Sequence, residues 1–138
     1  MISSLVLKEK TTDSRVAKVR ALMKSNLCLR RSLPKLAQAV NLSPSRLRSL
    51  FKLETGKSPA RYLKLLRMEA ARELLEHEFL SIKQVARRVG FEDLSHFVRD
   101  FEKTFGLAPA RYRAAYLDRH SKRKQVLAKE PQQEVEHD

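Results

Sequence analysis

Apolar residues recur at helical spacing from about residue 13 to residue 118. Seven successive segments follow the i, i+3, i+4 pattern of a helix with one buried face, and no segment alternates apolar and polar residues as a half-buried strand does. A capping residue or a proline precedes each segment, which indicates separate helices with short connections. The pattern predicts an all-α fold of seven helices, which begin near Asp13, Ser32, Ser43, Ser58, Ser81, Asp93 and Pro109.

The fourth segment, residues 58–77, is the longest of the capped segments and is expected to connect two halves of the fold. Its apolar residues recur at helical spacing and form an inward stripe, and we expect its glutamates to form a solvated face together with Arg72. The stripe consists of Leu63, Leu66, Ala70 and Leu74, and the glutamates are Glu69, Glu73 and Glu76. Cys28, between two leucines, is expected to be a buried small apolar residue.

The two halves of the chain repeat each other. Ala37 matches Ala86 at an offset of 49, and after one extra residue in the second copy Gly56 matches Gly106 at an offset of 50. The four residues 59–62 (PARY) recur unchanged as residues 109–112. Each copy is a short helix, a turn and a longer helix, which is the helix-turn-helix arrangement. The sequence therefore predicts helix-turn-helix units at residues 13–57 and 78–118, joined by a connecting helix at residues 58–77.

The charge of the chain is strongly positive and unevenly distributed. Its 138 residues include 29 Lys and Arg against 16 Asp and Glu, a net charge of +13. From residue 129 onwards one lysine stands against four acidic residues, so residues 1–128 carry +16. A basic body of this kind favours a polyanionic partner such as nucleic acid. We expect residues 1–12 to form an N-terminal extension and residues 119–138 a basic, then acidic, disordered tail.

The residue types give little support to enzymatic, metal-binding or membrane functions. Three glycines offer no phosphate-binding loop, and a single cysteine cannot complete a zinc site or an internal disulfide. The four histidines share no metal-ligand spacing, and the apolar run at residues 5–7 is too short to span a bilayer. We therefore expect no enzyme activity, no cofactor, no metal and no membrane insertion.

The second helix of each unit is the element expected in the major groove of DNA. Because its leucine and phenylalanine residues face the core, its serine, arginine and lysine residues face outward. Arginine can bridge O6 and N7 of guanine, so Arg48 and Arg99 are the expected main base readers. The alternative is that these two arginines are solvated or bind phosphate.

Phosphate contacts are expected from outward cations and from helix starts, where free N–H groups and the helix dipole favour anions. Ser32 and Ser81 precede the first helix of each unit. The expected phosphate contacts are Ser32, Lys35, Arg46, Lys52, Ser81, Lys83 and Lys103.

The connecting helix sets the spacing of the two units, since about eighteen residues span roughly 27 Å. Successive major grooves on one face of DNA lie about 34 Å apart. The recognition helices, at about residues 44–54 and 94–105, are therefore expected to enter two successive grooves. We expect one chain to bind an asymmetric site as a monomer, with bending of the DNA to close the difference.

Two stretches of the chain resemble the AraC/XylS-type DNA-binding domain. Residues 41–47 (NLSPSRL) and 50–59 (LFKLETGKSP) are similar to its first half. Residues 85–113, which include the GFED sequence at 90–93, are similar to the signature of its second half. The resemblance covers about residues 14–116. It implies a bacterial transcription regulator, usually an activator, with two helix-turn-helix units joined by a long helix.

The resemblance implies six base-contacting positions. Leu94 departs from the family pattern, because an apolar side chain there can touch only a thymine methyl group. Glu102 replaces a common lysine and puts negative charge near the expected DNA side. We therefore expect the second unit to bind more weakly than the first. The six positions are Ser45, Arg48 and Ser49 in the first unit and Leu94, Ser95 and Arg99 in the second.

The resemblance also implies double-stranded DNA and RNA polymerase as partners, and a place in the cytoplasm on the bacterial nucleoid. Because few residues precede the first predicted helix, we expect a free-standing regulator with no small-molecule effector site in this chain. Two alternatives stay open. In the first, the chain is a DNA-binding fragment of a longer, effector-sensing regulator. In the second, it is a non-specific, nucleoid-type DNA-binding protein.

Overall fold

Helices account for nearly all of the described part of the chain. The structure, a computed structural model, describes residues 13–28 and 33–128. Over these residues the predicted all-α fold with seven helices is confirmed. The helices are α1 (Ser14–Ser25), α2 (Leu33–Ala39), α3 (Pro44–Thr55), α4 (Pro59–His77), α5 (Ile82–Arg88), α6 (Leu94–Phe105) and α7 (Pro109–Ala128).

Local sequence signals determine where these helices begin and end. The Ser43 hydroxyl accepts a hydrogen bond from the backbone N–H of Arg46 at the start of α3, at 3.2 Å. Ser81 and its third neighbour Gln84 form a reciprocal capping box at the start of α5. Gly56 and Gly106 end α3 and α6 in the left-handed conformation, with φ of 80° and 85°.

Helix α4 contributes to both apolar cores of the molecule. Its Tyr62 and Leu66 belong to a core formed with α1, α2 and α3, and its Met68, Ala71 and Leu75 belong to a core formed with α5 and α6. The predicted stripe describes these buried residues only in part, because the helix needs a buried face toward each core. Of the stripe residues only Leu66 is buried, while Leu63, Ala70 and Leu74 are half-buried.

The repeated tyrosines occupy equivalent places in the two cores. Tyr62 packs edge-on against Phe51 with ring centroids 5.2 Å apart, and Tyr112 packs in the same way against Phe101 at 5.6 Å. Each tyrosine hydroxyl also reaches a charged side chain of an earlier helix, α1 for Tyr62 and α4 for Tyr112. The hydroxyl of Tyr62 accepts a hydrogen bond from Arg20 Nε at 2.8 Å.

Tyr112 links α7 to α4 through a buried polar cluster. Its hydroxyl donates to the carboxylate of Glu76, which also pairs with Arg72. Burial raises the pKa of Tyr112, and the hydrogen bond to Glu76 raises it further. Glu76 and Glu69 are therefore not part of a solvated face as predicted. The side chain of Glu76 is 7% exposed, Glu69 is buried with a pKa raised by that burial, and of the three predicted glutamates Glu73 alone is exposed.

Helix α7 continues beyond residue 118, where the ordered part was predicted to end. The prediction of a disordered tail is wrong for residues 119–128, which are helical. Once the first turns of α7 are fixed by packing on α4, each further residue adds one hydrogen bond at low entropic cost. An ion pair between Lys122 and Asp118, with Nζ and Oδ2 3.3 Å apart, supports the extension. Residues 1–12 and 129–138 lie outside the described residues.

The segment after α1 packs against the second half of the molecule. The carbonyl oxygen of Leu27 accepts a hydrogen bond from Arg67 Nε at 2.8 Å, and the guanidinium of Arg67 lies 5.9 Å from the ring centroid of Phe91. Cys28 is exposed, contrary to the prediction. Its thiol donates to the carbonyl oxygen of Arg88, at the C-terminal end of α5, at 3.2 Å. Carbonyl groups at a helix end lack intrahelical partners, so they accept such a bond.

Gly90 makes this junction possible. A Cβ atom at this position would lie 2.7 Å from the carbonyl oxygen of Leu27 and 3.0 Å from Arg67 Nε. Its φ of 98° also disfavours any other residue type.

We expect Gly90→Ala to destabilise the protein much more than Gly106→Ala does. Gly106 has a similar φ of 85°, but nothing lies within 4 Å of a Cβ atom added there. Backbone strain should cost each variant about 1 kcal/mol, and the clash with Leu27 should cost Gly90→Ala about 2 kcal/mol more. Urea unfolding of the two variants measures the difference. Equal losses would show that the Leu27 contact does not constrain the junction.

Candidate DNA-binding surface

The turns of the two helix-turn-helix units have the same backbone design. The N–H of Leu42 donates to the carbonyl of Ala37 at 2.9 Å, and the N–H of Phe91 donates to the carbonyl of Ala86, also at 2.9 Å. The residue before each donor, Asn41 or Gly90, has a positive φ of 57° or 98°. Asparagine and glycine are the residues that adopt this conformation most readily. The repeat therefore positions α3 and α6 in equivalent ways, each after a short helix and a tight turn.

Helix α3 presents one polar face to solvent. Leu47 and Phe51 are buried in the first core, as expected from the sequence. The predicted base-contacting residues Ser45, Arg48 and Ser49 are all exposed. Arg48 also borders an apolar groove of about 310 Å³ between α1, α2 and α4. The structure thus places these three residues together on the outer side of α3.

Helix α6 presents a similar face, but with different chemistry at its start. Ser95 and Arg99 are exposed, and Leu94 is the first residue of the helix with 41% of its surface exposed. The carboxylate of Asp93 caps the helix by accepting from the backbone N–H groups of Ser95 and His96 at 2.9 and 3.2 Å. A negative charge therefore lies directly beside the predicted base-contacting residues of the second unit.

The predicted phosphate-contacting residues are spread along four helices. Ser32 lies outside the described residues. The hydroxyl of Ser81 accepts from the N–H of Gln84 at 3.0 Å, which leaves its O–H free to donate to a phosphate. The exposed members of the set are Lys35 on α2, Arg46 and Lys52 on α3, Ser81 and Lys83 at the start of α5, and Lys103 on α6.

A basic cleft between α4 and α6 was missed by the sequence analysis. It has a volume of about 290 Å³ and is lined by three cations, Arg61, Lys64 and Lys103. Asp100 lies in its wall, with one carboxylate oxygen 3.4 Å from Lys64 Nζ and 3.2 Å from His96 Nε2. Asp100 follows Phe97 by three residues and so lies on the buried face of α6, and this spacing could have indicated a buried carboxylate. The ion pair of Asp100 with Lys64 connects the second recognition helix, α6, to the connecting helix, α4.

In residues 13–28 and 33–128, no group of three or more His, Cys, Asp or Glu is arranged to hold a metal ion. No helix in the same ranges is long and apolar enough to cross a bilayer.

The two equivalent turns and the exposed second helices define a tandem helix-turn-helix DNA-binding domain. Residues 36–115 match a family described as a helix-turn-helix domain. The transcriptional regulator YobQ of Bacillus subtilis is 36% identical over 107 residues, which cover 78% of this chain and 44% of YobQ. The transcriptional activator RhaR of Pectobacterium atrosepticum is 41% identical over 78 residues, which cover 56% of this chain and 28% of RhaR. The chain thus spans less than half the length of these relatives.

Solved structures have the same fold. An AraC-type DNA-binding domain protein from Chromobacterium violaceum superposes with a TM-score of 0.70 at 30% identity, over 75% of this chain and 92% of that chain. The DNA-binding domain of AdpA, in complex with a target DNA, superposes with a TM-score of 0.73 at 31% identity, over 76% and 95%. The chain belongs to the AraC family. The family and the fold are those of DNA-binding transcription regulators rather than enzymes.

We expect Asp93→Asn to bind DNA about threefold more tightly than the parent chain, because it removes a negative charge beside the α6 face. Asparagine keeps the cap, so the stability should change by less than about 1 kcal/mol, whereas Asp93→Ala should lose about 1 kcal/mol.

Glu73→Gln is the matched control, since it removes the same charge from an exposed position on α4. Fluorescence anisotropy with a labelled duplex measures the affinity, and urea unfolding measures the stability. Equal gains for Asp93→Asn and Glu73→Gln would show that the start of α6 does not face DNA.

Proposed function

We propose that the chain is a sequence-specific, double-stranded DNA-binding transcription regulator that binds as a monomer through α3 and α6. The observation that carries this proposal is the equivalent placement of two exposed recognition helices by two turns with the same hydrogen bond and a positive φ. A single helix-turn-helix unit normally needs a second chain to contact two grooves. Here both units belong to one chain, which supports an asymmetric site.

The length of α4 supports contact with two successive grooves. Its 19 residues span about 28 Å, and successive major grooves are about 34 Å apart. We infer that the DNA bends toward the protein to close the difference, at an elastic cost of a few kcal/mol. Duplexes with the site at different positions should therefore differ in gel mobility, and equal mobilities would reject bending.

The residue roles follow from side-chain chemistry. Arg48 and Arg99 are proposed to read guanine, since a guanidinium can bond to O6 and N7 together. Ser45, Ser49 and Ser95 are proposed to contact base edges near them, and Leu94 a thymine methyl group. The proposed phosphate contacts are Ser81 and the exposed cations Lys35, Arg46, Lys52, Lys83 and Lys103. Lys64 is added to them because it lines the cleft beside Lys103.

Activation is the proposed regulatory outcome, with RNA polymerase as the protein partner. The support is that RhaR, a transcriptional activator, is 41% identical to this chain over 78 residues. The relatives are longer than this chain, which favours the alternative of an effector-sensing domain outside this sequence. An immunoblot of the source cell distinguishes a longer regulator from a free-standing one by the size of the protein.

A non-specific, nucleoid-type DNA-binding protein is the competing hypothesis, since the body is strongly basic. Selection of bound duplexes from a random pool at fixed salt separates the two. A regulator should prefer its selected site by roughly 10³-fold or more over random DNA, whereas a nucleoid protein should bind all sequences with affinities set by salt. Recovery of no preferred sequence would reject the proposed function.

We expect Arg48→Ala to weaken binding to the selected site by about 1–3 kcal/mol and to relax the preference at one base position. Arg99→Ala should have a smaller effect, because Asp93 and Glu102 place negative charge beside the second recognition surface. Binding titrations of each variant against single-base variants of the site measure both effects.

Arg88→Ala is the control, since Arg88 is exposed at the end of α5 and borders α4 on the side of Ala70 and Glu73. A larger loss for Arg99→Ala than for Arg48→Ala would overturn the ranking of the two units. A loss that is the same for every sequence would reassign the residue to phosphate binding.

A further inference from the structure

The second half of α7 is an exposed basic segment that the proposed DNA contacts do not use. It carries Arg119, Lys122, Arg123 and Lys124 against a single acidic residue, Asp118, and all five are exposed. Lys122 pairs with Asp118, whereas neither arginine forms an ion pair within the described residues. The charges of the two arginines are therefore not neutralised by an ion pair within the described residues.

The two arginines lie on the side of α7 that faces the rest of the molecule. Tyr112 and Tyr116 anchor the first half of α7 against α4, through Glu76 and through an edge contact with His77 at 6.1 Å. Residues 112, 116, 119 and 123 follow the spacing of one helix face. Arg119 and Arg123 therefore continue the packed face of α7 into a region where no side chain of the described residues covers it.

This uncovered face lies past the last contact of α7 with the turn between α4 and α5. The contacts of α7 move along α4 toward its C-terminus, and Arg113 Nη2 donates to the carbonyl of Glu78, in the turn between α4 and α5, at 3.3 Å. The next turns of α7 carry the two arginines past that point. In a helix-turn-helix unit the first helix crosses the DNA backbone, so a bound duplex would pass near the start of α5, where Ser81 and Lys83 lie.

We propose that Arg119 and Arg123 form an additional phosphate-binding site, which contacts the DNA backbone flanking the half-site of the second unit. The partner is duplex DNA because the guanidinium groups are cationic, exposed and without an ion pair to any described residue, and their planar fork matches phosphate oxygens. The site would compensate for the acidic residues at the second recognition helix. The inference rests on the proposed function, because it requires that α5 and α6 face DNA.

The test compares two variants of the full chain that lose the same charge from the same helix. Arg119→Gln/Arg123→Gln removes the proposed site. Lys122→Gln/Lys124→Gln removes two cations that lie off its face, together with the exposed ion pair of Lys122 with Asp118, which contributes little to stability. Glutamine is a good helix former, so circular dichroism and the unfolding temperature should match those of the parent. The probe is the duplex selected from the random pool, and its affinity is measured at several salt concentrations.

The arginine variant is expected to bind about tenfold more weakly at low salt, with a slope of log affinity against log salt that is smaller by about 1–2. The lysine variant should change the slope by less than half as much. A duplex shortened on the side of the second half-site should abolish the difference between parent and arginine variant, because the flanking phosphates are then missing.

The outcomes separate this inference from the proposed function. Equal effects of the two variants would overturn the inference, because overall charge would then explain the loss. An unchanged slope for the arginine variant would also overturn the inference, while the specific binding of the parent would still support the proposed function. A parent chain that selects no sequence would instead contradict the proposed function itself.

Discussion

The packing of α4 into two cores is the constraint on which the rest of the structure depends. Tyr62 and Leu66 fix its first half in one core, and Met68, Ala71 and Leu75 fix its second half in the other. The two helix-turn-helix units cannot move apart without exposing apolar surface, which costs about 25 cal/mol per Å². The junction of Leu27 with Arg67 and Gly90 adds a second, polar connection between the halves. Together they hold α3 and α6 at a fixed spacing.

This fixed spacing relates the fold to the proposed function. Charge alone would attract the chain to any polyanion, but two recognition helices on one rigid body can match only grooves at a defined distance. The acidic residues near the second unit, Asp93, Asp100 and Glu102, each have a different consequence. Asp93 caps α6, Asp100 pairs with Lys64 and His96, and Glu102 is exposed. In the second unit, Asp93 and Asp100 therefore stabilise the fold, but the negative charges near α6 make its surface less favourable for binding DNA.

The sequence was sufficient to predict features that depend on neighbouring residues. Caps, left-handed glycines and the buried faces of α3 and α6 all follow from spacing over one or two turns, as Ser43 and Gly56 illustrate. Features that depend on distant partners were not predictable in this way. Whether Glu76 is solvated depends on Tyr112 of α7, and whether Cys28 is buried depends on carbonyl groups of α5. The base-contacting and phosphate-contacting residues predicted from the sequence are exposed wherever the structure describes them, and only Ser32 lies outside the described residues. Lys64, Arg119 and Arg123 were proposed from the structure alone, and the roles of all these residues stay predictions.

The most direct test of a fixed spacing between α3 and α6 changes the distance between the two halves of the selected DNA site. Insertions of about five and about ten base pairs rotate the halves by half a turn and a full turn. If α4 fixes the spacing, both insertions should reduce the affinity to that for a single half-site. The full-turn insertion returns the two halves to the same face of the DNA, but it separates them by more than α4 can span. Recovery of the parent affinity with the full-turn insertion would show that the two units move independently and would contradict the account.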